Sequence, residues 1–281
     1  MKKILVIIIS LTLLLAGCAK KEENNSNQEK VSSEIEYFSS QIAILLNNLN
    51  NISLDNYELV SEKINLDKSE TESKNSNSED SQNNQVLNNE GEENVFVTDI
   101  KTKNVLNLDT NNIDWNLMKN QIELINSSWS IVMLDLSKTN VPESEIKDFS
   151  SLLDKTIISI KNENKPEALK NLTELYSYIP KFLAKTSTEK GKLNIEKTKY
   201  SIFKAYSDIS QDDWNTVSQN LSDAEMYFKN VLNDTEAHRN KDFKIDKVYI
   251  LIQDIQTVTS SKDKELFLVK YKTLMENLNT L

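Results

Sequence analysis

The sequence predicts an all-α fold, in which two tandem three- to four-helix units related by duplication form an antiparallel helical bundle or short solenoid. Three observations carry this. Beyond Gly17 the chain has glycine only at Gly91 and Gly191, too few for a turn-rich sheet protein, for an α/β solute-binding protein or for a glycine-rich phosphate loop. Apolar residues recur at alternating steps of three and four, which gathers them on one side of a helix. The tripeptide Asp-Trp-Asn occurs twice, at Asp114-Trp115-Asn116 and Asp213-Trp214-Asn215, in a chain with three tryptophans.

The elements follow in order. Residues 1–17 open with Lys2 and Lys3 and continue through an apolar run from Ile4 to Leu15. About a dozen helical residues span roughly 18 Å, short of a hydrocarbon core of about 30 Å, so the run is an export signal and not a membrane span. Residues 18–33 are a polar, disordered tether. Within residues 34–66 a helix from Glu34 to Asn50 carries Phe38, Ile42, Leu45, Leu46 and Leu49. The β-branched runs Tyr57 to Leu66 and Val95 to Ile100 predict a small hairpin across residues 67–94, a disordered acidic insert whose only apolar anchors are Val86 and Leu87. Residues 62 to 93 hold nine acids and three lysines, so much of the chain's negative charge sits in this spacer.

Residues 95–190 form the first helical unit and residues 191–281 the second. In the first, Trp115, Met118, Ile122, Ile125, Trp129, Val132 and Leu136 make one stripe; Ile146, Phe149, Leu153 and Ile160 make the next; Leu169, Leu172, Tyr176, Ile179 and Leu183 make the third. The last two helices open on Asn140-Val141-Pro142-Glu143 and Asn164-Lys165-Pro166-Glu167, where Asn suits the cap, Pro the first turn and Glu the positive helix end. Pro180 interrupts the third pattern and should break it near Tyr178. Leu175, Tyr178 and Phe182 give that helix a second apolar face and predict a central position. Gly191 separates the units, and a helix with Ile195, Ile202, Phe203, Tyr206 and Ile209 follows it. An ungapped shift of 99 places Trp115 on Trp214, Met118 on Val217, Ile122 on Leu221, Trp129 on Phe228, Ile146 on Ile245 and Ile179 on Leu278. Each Asp-Trp-Asn then reads as a helix start, Asp at the N-terminus and Trp opening the stripe, and not as a paired ligand site.

Leu15-Ala16-Gly17-Cys18 resembles the lipobox of bacterial lipoproteins. The resemblance implies cleavage behind Gly17, a diacylglyceryl group on Cys18 and anchoring at the extracytoplasmic face of a cell membrane, where two acyl chains hold more firmly than one. The Asn-, Lys- and Ile-rich composition resembles that of an AT-rich bacterial genome, which implies the outer leaflet of a cytoplasmic membrane. The stretch with Trp214, Leu221, Ala224 and Phe228 resembles the second half of a tetratricopeptide repeat over one helix pair, without that family's glycine and repeat proline.

What is missing bounds the chemistry. The net charge is -10 and falls to about -12 once Lys2 and Lys3 are removed, which gives no electrostatic reason to bind nucleic acid. Cys18 is the only cysteine, so no intramolecular disulfide forms. His238, beside Arg239 in a polar stretch, is the only histidine, which rules out paired Glu-x-x-His, His-Glu-x-x-His and three-histidine metal sites. A Ser-His-Asp triad would depend on His238, and no Gly-x-Ser-x-Gly elbow accompanies it. The expectation is therefore a non-enzymatic binding or scaffold module without cofactor or metal, engaging an envelope protein or peptide. The alternative is a carboxylate-based envelope hydrolase or cation-binding lipoprotein. A cleft holding two or more buried, converging carboxylates would favour the alternative, and a long groove lined by exposed aromatics the former.

Overall fold

The structure, a computed structural model, describes residues 28–52, 112–234 and 242–281. The predicted signal segment with Cys18, the predicted hairpin and acidic insert, and His238 lie outside the described residues. The fold is all-α, and among the described residues there is no strand. Helix α1 covers residues 28–48. It is followed by α2 (Trp115–Leu136), α3 (Glu143–Lys161), α4 (Lys165–Tyr176), α5 (Tyr178–Thr186), α6 (Lys190–Asp208), a 3₁₀ turn (Ile209–Gln211), α7 (Trp214–Leu232), α8 (Asp242–Gln256), α9 (Val258–Ser261) and α10 (Lys264–Leu278). The described residues belong to one compact unit with one continuous apolar core.

Helix starts follow side-chain chemistry. Asp114 accepts from the Leu117 amide at 2.9 Å and Asp213 from the Thr216 amide at 3.2 Å, so both Asp-Trp-Asn tripeptides are N-caps. Asn164 caps α4 by accepting from the Glu167 amide, with Pro166 in the first turn, as the sequence predicts. Asn140 does not cap α3: Pro142 takes the N-cap position with extended backbone and no side-chain bond. Val141 explains the difference. It is buried, as is Ile146, and the two stand before the cap and one turn inside it, the positions of a hydrophobic staple.

Helix ends use left-handed residues that are not glycine, namely Asn51, Glu163, Asp212 and Lys262. After α3, the Asn164 amide reaches back to the Ser159 carbonyl and the Glu163 amide to Ile160, which closes the open carbonyls. Pro180 leaves Tyr176 without an amide partner four residues on, and the chain breaks between α4 and α5 at Ser177.

The predicted stripes are buried, including Met118, Ile122, Ile125, Trp129, Val132 and Leu136 on α2 and Val217, Leu221, Ala224, Phe228 and Val231 on α7. Trp115 is only half-buried against the core, whereas Trp214 is buried. Two helix starts recur 99 residues apart, Trp115 and Trp214, and Lys165 and Lys264. The left-handed residues Glu163 and Lys262 and the caps Asn164 and Asp263 keep the same offset.

Two boundaries and the identity of the central helix differ from expectation. The tether gives way to helix by residue 28, because Val31 and Ile35 already join the core. Gly191 lies in the first turn of α6 and not between helices. The most enclosed element is α6, which has no exposed residue from Gly191 to Ile209. It packs against α4, α5, α7 and α10.

Candidate interaction surface

One buried carboxylate joins three helices. Glu196 of α6 is buried; it accepts from Ser39 Oγ of α1 at 2.7 Å and from Tyr176 Oη of α4 at 2.5 Å, while its other oxygen pairs with Lys199 at 3.0 Å. Burial alone would raise the Glu196 carboxyl, but Lys199 and the two hydroxyl donors outweigh it and hold the group below the usual carboxylate value. Burial, and then the neighbouring Glu196 charge, push the Tyr176 hydroxyl well above its ordinary range, so it remains a donor. Glu276, the other buried carboxylate among the described residues, pairs with Lys272 one turn away on α10. Each buried carboxylate is thus neutralised by a lysine of its own helix. Among the described residues no group of three or more His, Cys, Asp or Glu is placed to hold a metal ion.

A second polar cluster ties α1 to the end of the chain. Tyr206 and Tyr271 stack at 4.5 Å. Tyr271 donates to Asn47 Oδ1 at 2.7 Å and Tyr206 donates to the Leu46 carbonyl at 3.2 Å, while Asn50 donates to Tyr206. These hydroxyls lie in the core and serve its cohesion, since burial pushes both tyrosines above their ordinary range.

The outer face of α2 is a different kind of surface. Leu117, Leu124 and Ile131 recur at seven-residue steps, and Leu134 lies one turn beyond Ile131. Leu124, Ile131 and Leu134 are 60%, 60% and 59% exposed, in a chain that is 27% charged. Gln121 accepts from Asn48 of α1 at 3.0 Å, and Asp135 accepts from Lys30 of α1 at 2.6 Å. Gln121 and Asp135 each stand one helical turn beyond a stripe residue, Leu117 and Ile131, so the stripe borders α1. Tyr37 and Ile44 continue it there, on the α1 face that also carries Lys30 and Asn48, and both are exposed.

The α7 helix provides an internal comparison. It has the same buried stripe and the same cap, yet 99 residues on from Leu117, Leu124, Ile131 and Leu134 it carries Thr216, Asp223, Asn230 and Asn233. The fold position therefore accepts polar groups, and packing does not demand the apolar ones on α2. Sequence reading found the buried stripe and missed this second one, although its seven-residue spacing was visible.

Of the residues singled out earlier, Asp114 and Asp213 are caps, while Cys18 and His238 lie outside the described residues. Among the described residues no helix is long and apolar enough to cross a membrane. No protein-family model, no curated protein and no solved structure matches the chain.

Proposed function

We propose that the chain is a lipid-anchored extracytoplasmic protein, a non-enzymatic binding or scaffold module at the cell envelope, and that the α1–α2 face is its recognition surface. The observation that carries the second part is the contrast between α2 and α7: matching buried stripes inward, but Leu117, Leu124, Ile131 and Leu134 on α2 where α7 and its C-cap carry Thr216, Asp223, Asn230 and Asn233. An exposed apolar band on a charged surface costs solubility and is commonly an interaction site. Leu15-Ala16-Gly17-Cys18 supports the anchor, which would hold this face close to other envelope proteins.

Two measurements test the reading. Cys18→Ala should shift the chain from the membrane fraction to the soluble one or leave it unprocessed; full processing and lipid-borne retention would overturn the anchor. Crosslinking pull-down from intact cells should yield species that disappear in a Leu124→Glu, Ile131→Glu double variant. An unchanged set of species would overturn the assignment of the face.

A further inference from the structure

We propose that the occupant of the α1–α2 face is a second copy of this chain, with α2 packed antiparallel on α2 about a twofold axis near Ile125 and Asn126. This rests on the reading of that face as a recognition surface. Leu117, Leu124 and Ile131 occupy one coiled-coil position, and Asn120, Ser127 and Leu134, three residues on, occupy the other. Antiparallel pairing sets Leu117 against Leu134 of the second copy, Leu124 against Ser127 and Ile131 against Asn120. Two of these three matches put a large side chain against a smaller polar one, which lets the helices approach closely. The same patch meets itself, as a closed twofold dimer requires.

Charge supports this occupant. None of the six seam positions is charged. At the margins, Asp135 is paired with Lys30 at 2.6 Å and Lys138 at 2.8 Å, and Lys119 is paired with Glu163 at 2.7 Å. An acidic chain thus turns an uncharged seam toward its copy, with Glu123, beside Leu124, an exposed acid at its edge. A lipid surface fits less well, because none of the seam residues is basic and the chain as a whole is at -10.

The seam from Leu117 to Leu134 is about 26 Å long at a rise of roughly 1.5 Å per residue. At about 10 Å wide it offers roughly 260 Å² in projection, well under the ~800 Å² per partner of a standard interface. Tyr37 and Ile44 widen it without closing the gap. Pairing between free copies is therefore weak, and confinement of both to one membrane plane supplies the missing effective concentration.

The test uses the full chain in the membranes of intact cells, with the photoreactive residue p-benzoylphenylalanine placed at Ser127 or, as the control, at Met226. Met226 stands 99 residues on, exposed on α7. Light should join two copies at Ser127, seen as an adduct containing both a tagged and an untagged chain, and should not do so at Met226. Leu124→Glu should lower that adduct at least about tenfold, because it carries a charge into an apolar seam. The same variant should leave the thermal unfolding of the chain unmoved, which separates lost pairing from lost folding. An adduct at Ser127 with a different protein alone overturns self-pairing and leaves the face a binding surface; no adduct at all overturns both. Equal two-copy adducts at Ser127 and Met226 overturn the proposal as unspecific crowding.

Discussion

Glu196 keeps its charge inside the molecule because Lys199, Tyr176 and Ser39 all reach it. Its folded pKa lies below the ordinary 4.5, so its contribution to stability is fully present above that value and is lost as pH falls through the lower folded one. Acid unfolding of the native chain should therefore be steeper below about pH 4.5 than that of Glu196→Gln; matching acid limbs would contradict the assignment. Caps give a second prediction at this scale. Asp114→Ala and Asp213→Ala should each cost about 1 kcal/mol in denaturant unfolding, while Asn140→Ala should stay within about 0.5 kcal/mol. A loss at Asn140 equal to those at Asp114 and Asp213 would mean that the Val141 and Ile146 staple does not define the start of α3.

At the scale of elements, Trp129 links four helices. Its ring lies 4.1 Å from Phe149 of α3, 5.8 Å from Phe38 of α1 and 6.2 Å from Phe182 of α5, and its Nε1 donates to Ser150 Oγ at 2.8 Å. Trp129→Ala and Phe228→Ala should each cost about 3 to 5 kcal/mol, with Trp214→Ala close behind. Half-buried Trp115 should cost clearly less when truncated, and equal losses at all four would show that its stripe position matters more than its exposure. Most of this was readable beforehand, because capping chemistry, the Pro180 break and a three-four spacing are local signals. The central place of α6 was not, since Lys192, Lys197, Lys199 and Lys204 mark it as a surface helix until Lys192 is seen reaching Glu36 and Lys199 reaching Glu196. Nor was the outer α2 stripe, because whether Leu124 faces solvent depends on which neighbours surround its helix.

Across the whole molecule, the bond between Tyr271 and Asn47 joins residues 224 apart, and the clasp from Ser39 to Glu196 joins residues 157 apart. The consequence concerns time. Synthesis delivers α1 first, but two of the groups that hold it, Glu196 of α6 and Tyr271 of α10, arrive much later, so the earliest described helix is not fully secured until the last is made. Until α10 emerges, Asn47 of α1 lacks the Tyr271 hydroxyl, and Tyr206 lacks the ring that stacks on it. A chain ending at Lys262 should therefore lose amide protection in α1 in a hydrogen-exchange measurement, although no residue of α1 has changed. Full protection of α1 in that truncated chain would mean that its docking is complete before the final helix exists. Otherwise, a delay in making the last few turns prolongs the exposure of the first.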